Sequence, residues 1–411
     1  MSLDPGTYDV EFLQNGVLQE TGEFTLDGTV SPVDHRYILT SEDFGIAPVS
    51  SLSTNASNIQ DFIDYAAENN LLAVLGAGTW NVNTTLFLRN GSRLKGRGAG
   101  HSIINAPEGQ WNPSDFYLFR QESSDGTNTD GLYLADLRCI GADKDRTDNG
   151  PLVRIEACYN FVIERMIVED PSSYGIYITG YDYSKNPGYS DDITNPLWQN
   201  THRGTVRDCL ALRGQIGFGT EGNAENILFQ RCTSIGNYGV SESSWGLHGY
   251  RSASGINVWY DRCRAYGYRN GFLVDRYRNM MYSGCYIEKC RNGIAMGSYY
   301  PDDPIVSHDM RIIGNYFNCE EENGTGPLAV NDFYISNRQC DGVVVMGNTI
   351  RGSGGLRFGQ SKRLNVQGNV STDGQASIIT SHGATGLVAN NTMPLSQKAS
   401  GITDGGNNIS L

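Results

Sequence analysis

Apolar or aromatic residues recur at alternate positions along most of this chain, in short segments separated by small or polar turn residues. Ten of these segments align on one shared position. The residues at that position are Cys139, Met166, Cys209, Cys232, Cys263, Cys285, Asn315, Asn348, Asn369 and Asn391. Because the side chains of a β-strand point to opposite faces in turn, the alternation predicts a strand with one buried face in each segment.

The spacing of the segments predicts how these strands are arranged. The closest copies are 21 to 23 residues apart, as between Cys263 and Cys285 or between Asn348 and Asn369. A repeat this short predicts a solenoid of stacked β-strand coils, and the longer spacings then represent coils with inserted loops. A solenoid presents a long ridged surface, which suits an extended polymer.

The shared column also bears on the nine cysteines of the chain. Stacked coils lie about 4.8 Å apart, whereas the Cβ atoms of a disulfide lie about 3.8 Å apart. We therefore expect the cysteines of this column to be buried free thiols that act as small apolar fillers. In the lower half of the column, we expect the asparagine amides to bond to neighbouring coils as a ladder.

The first part of the chain has a different pattern. Tyr8–Leu13 and Val17–Glu20 predict two strands joined by a tight turn at Asn15-Gly16. We assign residues 1–45 to a small N-terminal β unit or attachment segment and residues 46–411 to the solenoid.

A helix is predicted at the start of the solenoid, over residues 57–70. Ser57 is the expected N-cap, and Gln60 is its capping-box partner three residues later. One face of this helix is apolar. The residues of that face are Ile59, Phe62, Ile63 and Ala66.

The segment after this helix carries a resemblance to a known family. It reads Asn90-Gly91-Ser92-Arg93-Leu94-Lys95-Gly96-Arg97-Gly98-Ala99-Gly100-His101-Ser102-Ile103-Ile104. The order of helix, small-residue turn, strand and this segment resembles the opening of pectate-lyase-superfamily right-handed parallel β-helices, which include phage tailspike depolymerases and mannuronan epimerases. The resemblance covers about residues 46–405. It implies an all-β, single-stranded right-handed parallel β-helix whose N-terminal helix caps the open edge of the solenoid.

The same resemblance implies a polysaccharide as partner and an extracellular or virion-associated location. It is also compatible with assembly as a homotrimer, as in tailspikes. It leaves the chemistry open too, because this fold hosts lyases, hydrolases, epimerases and proteins that only bind.

Charge and hydropathy exclude several other partners. The net charge is −14 and the pI about 4.9, and no run of Lys or Arg forms the basic stripe that nucleic acid requires. No hydrophobic span of about 20 residues predicts a membrane helix.

We expect no cofactor and no metal centre. Calcium is the one candidate ion, on the acidic loops Asp143-Lys144-Asp145 and Asp191-Asp192.

A second alignment predicts which side chains face outward. Most coils begin with Gly and an apolar residue, as in Gly175-Ile176, Gly217-Phe218, Gly246-Leu247 and Gly271-Phe272. If the residue after Gly points inward, the second and fourth residues after Gly point outward. Three consecutive coils then place four side chains with chemical reactivity on one face, namely Glu221, His248, Tyr250 and Asp275. Arg251 and Arg276 lie near the turn that follows.

The first hypothesis for this face is a glycosidase-type depolymerase. Hydrolysis needs one carboxyl group to protonate the leaving oxygen and a second to activate water or attack. Glu221 and Asp275 occupy equivalent positions two coils apart, about 9.6 Å between backbones. Their side chains can reach the inverting separation of roughly 6.5–9.5 Å.

Two further hypotheses stay open. A polysaccharide lyase would use His248 or Tyr250 as base or acid, and Arg251 or Arg276 to neutralise a uronate. A non-catalytic adhesin or tailspike scaffold would only bind glycan. Aromatic side chains that stack on sugar rings serve all three hypotheses. The candidates are Tyr177 on its strand and Trp198, Tyr299 and Tyr300 in long inserted loops.

Epimerase activity is not expected. In mannuronan epimerases the matching coil carries an Asp-Pro-His segment after Tyr-Gly-Phe, whereas this chain reads Tyr174-Gly175-Ile176-Tyr177-Ile178-Thr179. The Asp and the His are both absent here. Glu221 does match a catalytic aspartate position of those enzymes.

Overall fold

The computed structural model describes the larger part of the chain. It covers residues 6–14, 17–26, 38–107, 117–121, 129–141, 150–180, 201–222, 224–236, 246–253, 255–274, 277–296, 307–319, 326–330, 340–351, 354–359, 361–373, 376–380, 383–393, 395–406 and 408.

Three long sheets, called sheets 1, 2 and 3, contain all the strands described after residue 37. Sheet 1 consists of Ile38–Thr40, Leu72–Leu75, Arg93–Gly96, Thr129–Asp130, Tyr133–Ala135, Cys158–Tyr159, Val162–Glu164, Thr201–Arg207, Ala224–Gln230, Gly255–Asp261, Tyr277–Ser283, Ser307–Ile313, Cys340–Met346, Ser361–Lys362, Leu364–Gln367, Thr385–Ala389 and Gly401–Asp404. Sheet 2 consists of Gly78–Asn81, Ser102–Asn105, Arg138–Ile140, Ile167–Glu169, Leu210–Leu212, Thr233–Ile235, Arg264–Tyr266, Tyr286–Glu288, Tyr316–Asn318, Thr349–Arg351 and Val370–Ser371. Sheet 3 consists of Leu86–Leu88, Phe119–Gln121, Val153–Glu156, Tyr174–Thr179, Ile216–Glu221, Gly246–Ser252, Tyr268–Val274, Asn292–Met296, Gly326–Val330, Gly354–Phe358, Ala376–Thr380 and Leu395–Gln397.

The chain visits the three sheets in a fixed order. It passes from sheet 1 to sheet 2 to sheet 3 and back to sheet 1, so that each circuit is one coil; in the last circuit the described residues between Thr385–Ala389 and Leu395–Gln397 form no strand in sheet 2. Equivalent strands of neighbouring coils pair in parallel, and in sheet 1 Val206 pairs with Phe229, which pairs with Tyr260. The predicted right-handed parallel β-helix is therefore confirmed, with one interior running along the whole stack.

The N-terminal hairpin agrees with its sequence pattern. Gly6–Gln14 and Val17–Leu26 pair antiparallel on either side of the predicted Asn15-Gly16 turn. The division of the chain at residue 45 stays a prediction. The strand Ile38–Thr40 already pairs with Leu72–Leu75 of sheet 1, so the stacked strands begin slightly before it.

The capping helix spans Leu52–Glu68, and its start was predicted wrongly. Ser51, not Ser57, is the N-cap, and its Oγ accepts a hydrogen bond from the Thr54 amide at 3.3 Å. Gln60 binds the backbone of Phe87 instead of the N-cap. Its side chain accepts a hydrogen bond from the Phe87 amide and donates one to the Phe87 carbonyl. The helix thus satisfies backbone groups at the open end of sheet 3. All four residues of the predicted apolar face are buried.

The column of cysteines and asparagines is confirmed, with one correction. Cys139 does not belong to it, because Cys139 pairs with Val168 and Leu137 stands beside Met166 instead. The eight cysteines whose side chains are described are buried and free. Burial raises the pKa of Cys158 to about 11 and that of Cys290 to about 12, so both thiols are protonated at neutral pH.

The lower half of this column forms the expected ladder. Each asparagine side-chain nitrogen donates to the side-chain oxygen of the next coil, at 2.9 Å from Asn315 to Asn348 and 2.8 Å from Asn348 to Asn369. The same nitrogens also donate to backbone carbonyls of the coil before, such as Asn315 to Tyr282 at 3.1 Å. Cysteine thiols make the weaker equivalent of that second bond, for example from Cys285 to the Tyr260 carbonyl at 3.3 Å.

Two stacks of aromatic rings fill the central interior. On the sheet 3 side Tyr250 lies between Phe218 and Phe272, with ring centroids 5.1 and 4.5 Å away. On the sheet 1 side Tyr260 lies between Phe229 and Tyr282, each with its centroid 5.1 Å away. The two stacks meet edge to face. Each such pair contributes about 0.5–1.5 kcal/mol beyond its buried area.

Two equivalent tyrosines of the sheet 1 stack differ in one respect. The Tyr260 hydroxyl lies beside the Ser252 and Thr220 hydroxyls, which act to lower the pKa of Tyr260 against the larger, raising effect of burial. One coil later Val274 replaces Ser252. The Tyr282 hydroxyl is buried without a hydrogen-bond partner within the described part of the chain.

We therefore expect opposite effects from the same substitution at these two positions. Tyr282→Phe removes an unsatisfied buried hydroxyl and should raise the free energy of unfolding by about 1 kcal/mol. Tyr260→Phe removes the hydroxyl that lies beside Ser252 and Thr220. It should lower the free energy of unfolding by about 1 kcal/mol. Urea unfolding of both variants measures the difference. Equal destabilisation by the two substitutions would contradict this account.

Candidate functional site

The outer face of sheet 3 carries three aligned columns of side chains. The first column contains Tyr174, Ile216, His248, Asn270 and Asn292. The second contains Arg120, Arg154, Tyr177, Gly219 and Arg251. The third contains Glu156, Thr179 and Glu221.

Glu221 is the centre of a cluster that spans three consecutive coils. Its Oε1 accepts from the Tyr174 hydroxyl at 3.1 Å, and its Oε2 accepts from the Tyr177 hydroxyl at 2.7 Å. Arg251 Nη1 lies 3.1 Å from Glu221 Oε1 and donates to the Tyr174 hydroxyl at 2.8 Å. The Tyr174 hydroxyl therefore joins a carboxylate and a guanidinium. We call Tyr174, Tyr177, Glu221 and Arg251 the Glu221 cluster.

Gly219 makes this geometry sterically accessible. The Tyr174 ring crosses directly over Gly219 to reach Glu221 and Arg251, and any Cβ at position 219 would overlap the ring. The tyrosine rings of the cluster also pack on each other, with the centroids of Tyr174 and Tyr177 4.7 Å apart. Because Gly219 has no side chain, the Tyr174 phenol of the preceding coil has room to lie in this position.

The charge state of the Tyr174 phenol follows from its surroundings. Burial raises the pKa of Tyr174 well above its usual value, and the Glu221 charge raises it further, whereas Arg251 opposes both. The phenol is therefore protonated at neutral pH. Its hydroxyl donates to the Glu221 carboxylate and accepts from Arg251.

A second charged group lies on the same face, on the two coils before Tyr177. Arg154 donates to the Tyr117 hydroxyl at 2.8 Å and lies 3.0 Å from the Glu156 carboxylate, which Arg120 approaches to 3.9 Å. Arg154 and Glu156 are both buried. Burial acts to lower the pKa of Arg154, but the Glu156 charge and the neighbouring tyrosines outweigh it, and the net pKa is raised.

His248 lies on the later side of the Glu221 cluster. Its Nδ1 is 3.0 Å from the side-chain nitrogen of Asn270, whose oxygen accepts from Asn292 at 2.7 Å. Burial, together with the positive charges of Arg251 and Arg269, lowers the pKa of His248 to about 3. The imidazole is therefore neutral at any ordinary pH.

The predicted site residues are thus brought together in part. Glu221, Arg251 and Tyr177 are in contact as one cluster, and His248 lies on the same face.

The prediction that Tyr250 points outward is wrong. Tyr250 is fully buried, and its hydroxyl donates to the Cys232 carbonyl at 2.7 Å. The sequence alignment used Gly246 as the repeated glycine, whereas Gly249 follows Gly217 in the stack and precedes Gly271. This difference of three residues moves Tyr250 from the outer face to the interior.

Several other predicted residues lie outside the described residues. These are Asp275, Arg276, Trp198, Tyr299 and Tyr300, together with the acidic calcium candidates at 143–145 and 191–192. Within the described ranges, no group of three or more His, Cys, Asp or Glu side chains could hold a metal ion. Among those same ranges, no helix is both long and apolar enough to cross a bilayer.

Sequence reasoning missed the contribution of the coils before residue 174. Val153-Arg154-Ile155-Glu156 contains the signal, because charged residues alternate with inward apolar ones in a strand. The sequence gives no sign of the role of Tyr174, because its contact over Gly219 forms only between neighbouring coils. Asn270 and Asn292 carry no chemical signal by themselves and gain a role only through their alignment with His248.

Comparison with known proteins supports the same architecture. No protein-family profile and no curated protein sequence matches the chain. Among solved structures, the A-module of mannuronan C-5 epimerase AlgE6 from Azotobacter vinelandii is 17% identical, with a TM-score of 0.61 over 90% of this chain and 99% of that one. Pre-mature gene product 12 of bacteriophage phi29 is 15% identical, with a TM-score of 0.62 over 90% of this chain and 57% of that one.

A third similar structure comes from a bacterial surface. PfbA, a surface adhesin of Streptococcus pneumoniae, is 13% identical, with a TM-score of 0.61 over 91% of this chain and 94% of that one. At such low identities the likeness concerns the fold alone. Together with the strand pairings, it identifies this chain as a right-handed parallel β-helix, the fold that the opening segment of the solenoid resembles.

Proposed function

We propose that this protein binds an extended polysaccharide across the outer face of sheet 3 and cleaves it at the Glu221 cluster. The reaction that the geometry supports best is elimination at a uronate residue. The observation that carries the proposal is the Tyr174 hydroxyl, held between the Glu221 carboxylate at 3.1 Å and Arg251 Nη1 at 2.8 Å.

Binding of a glycan is supported by shape, by chemistry and by the similar structures. The outer face of sheet 3 is a continuous parallel surface with tyrosine rings, arginines and carboxylates in aligned columns. Three of the similar structures are described as a mannuronan C-5 epimerase module, a bacteriophage gene product and a surface adhesin. They support a glycan partner and a location outside the cell or on a virion. The homotrimer stays a prediction from the sequence resemblance.

Elimination at a uronate needs an acid–base group beside the reacting carbon and a positive charge for the sugar carboxylate. The Glu221 carboxylate takes the proton from the carbon next to the uronate carboxylate, and the Tyr174 hydroxyl gives its proton to the departing glycosidic oxygen. The hydrogen bond between the two groups then lets the proton on Glu221 pass to the Tyr174 phenolate, which restores both groups. Arg251 adjoins both side chains and supplies the positive charge. Each requirement is thus met by a residue of the cluster.

Hydrolysis is the second candidate, because Glu156 and Glu221 occupy the same column two coils apart. Their backbones are separated by about 9.6 Å, twice the coil spacing. Hydrolysis, however, requires one carboxyl group to carry a proton. Both carboxylates lie within ion-pair distance of arginines, which suits elimination better. Asp275, the predicted partner of Glu221, lies outside the described residues.

The proposal is tested by incubation with uronate polymers, mannuronan and polygalacturonate, beside neutral glycans. We expect new unsaturated ends, seen by ultraviolet absorbance, on at least one uronate polymer. New reducing ends without that absorbance would indicate hydrolysis. Binding without any product would contradict catalysis and indicate an adhesin.

Glu221→Gln should reduce turnover by about 10²–10⁴-fold, the usual contribution of an acid–base group. The matched control is Glu288→Gln, which removes the charge of another arginine-paired glutamate, in sheet 2. Turnover should be unchanged in that control. A Glu221→Gln variant as active as the control would exclude Glu221 from the reaction.

Gly219→Ala should also abolish most turnover, although it removes no polar group. The added methyl overlaps the Tyr174 ring and displaces the phenol from Glu221 and Arg251. Gly100→Ala is the control, because a Cβ there meets nothing within 4 Å. Circular dichroism of both variants checks that the fold is kept. Full activity of a folded Gly219→Ala variant would show that Tyr174 is not needed in its observed position.

A further inference from the structure

The outer face of sheet 3 contains a short ladder of side chains next to the Glu221 cluster. Asn292 donates from its side-chain nitrogen to Asn270 Oδ1 at 2.7 Å, and Asn270 Nδ2 lies 3.0 Å from His248 Nδ1. The three residues are paired on successive strands of sheet 3, so the contacts follow from the register of the coils. All three side chains are half-buried.

The ladder has a direction, and that direction determines the state of the imidazole. Because Asn270 uses its oxygen to accept from Asn292, its nitrogen is the atom that faces His248. An amide nitrogen can only donate, so His248 Nδ1 must accept and carry no proton. A neutral imidazole with an unprotonated Nδ1 carries its proton on Nε2.

Burial keeps the His248 ring neutral, and two neighbouring positive charges add to this effect. Arg251 is on the same strand, and Arg269 is on the next strand of sheet 3. Both act against a third positive charge, and with burial they lower the pKa of His248 to about 3. The tautomer and the charge state are thus set by different neighbours.

We propose that Asn292 and Asn270 are positioning residues that fix His248 as a neutral Nε2–H donor for an oxygen atom of the bound glycan. This inference rests on the proposed function and extends the glycan-binding surface from the Glu221 cluster toward the later coils. It also removes His248 as the base of an elimination. Its Nδ1 lone pair is occupied by Asn270, and its Nε2 carries a proton.

The ladder is tested directly by nitrogen NMR of protein labelled with ¹⁵N-histidine. The chain has only 6 histidines, and His248→Gln assigns the signal. We expect an unprotonated Nδ1 and a protonated Nε2 that do not change between pH 8 and pH 5. A protonated Nδ1, or a titration near pH 6.5, would overturn the proposal.

Asn270→Asp is the decisive variant. A carboxylate accepts and cannot donate, so it should draw the proton to Nδ1 and raise the pKa of His248. The matched control is Asn257→Asp, in the middle of a similar ladder in sheet 1, where Asn279 donates to Asn257 and Asn257 donates to Asn226. That control should leave the His248 signals unchanged. An Asn270→Asp variant with wild-type His248 signals would overturn the proposal.

Binding measurements test the role of the donor. His248→Gln keeps a side-chain N–H, whereas His248→Leu does not, so mannuronan or polygalacturonate should bind the leucine variant at least tenfold more weakly than the glutamine variant. Equal affinities of the two variants would overturn the donor role. If neither polymer nor any other glycan binds the wild type, the proposed function and the donor role both fail. The NMR result would then still decide separately whether the ladder fixes the tautomer.

Discussion

The structure depends on one constraint, the in-register stacking of successive coils. Parallel pairing places each residue directly beside its equivalents in the coils before and after, at about 4.8 Å. Equivalent side chains of neighbouring coils therefore meet in the interior. The residue type at each position must pack well against residues of the same type above and below it. Cysteines and apolar residues do so by contact, asparagines by the hydrogen bonds between Asn315, Asn348 and Asn369, and aromatic residues by the stacks around Tyr250 and Tyr260.

The same constraint builds the candidate site. Glu221, Tyr174 and Arg251 are far apart in the chain, yet they touch because they stand on three consecutive strands of sheet 3. A single glycine, Gly219, opens the space that lets the Tyr174 phenol reach across a coil. All four side chains of the Glu221 cluster stand on strands of sheet 3. Its geometry is held by the backbone pairing that holds the fold.

Much of this fold could be predicted from the sequence, because a repeated column is visible wherever several copies share it. The solenoid, the buried thiols and the asparagine ladder all follow from such repetition. Errors occurred where two alignments were both plausible from residue type alone. Gly246 and Gly249 both precede an apolar or aromatic residue, and only the hydrogen-bonded register selects Gly249. Cys139 was misaligned by two residues for the same reason.

The site itself was less accessible to sequence reasoning. Glu221, Tyr177 and Arg251 were predicted because each carries a chemical signal on a strand expected to face outward. The Tyr174 contact with Arg251 crosses two coils, and the pairing of His248 with Asn270 depends on register. Neither contact can be recognised in a single sequence, because each depends on which residues of neighbouring coils are paired.

A crystal structure with a bound uronate oligosaccharide tests the central claim most directly. The account predicts sugar density along the outer face of sheet 3, with one uronate carboxylate beside Arg251 and its ring within hydrogen-bond distance of Tyr174 and Glu221. Density confined to the outer face of sheet 1 or sheet 2 would contradict the claim.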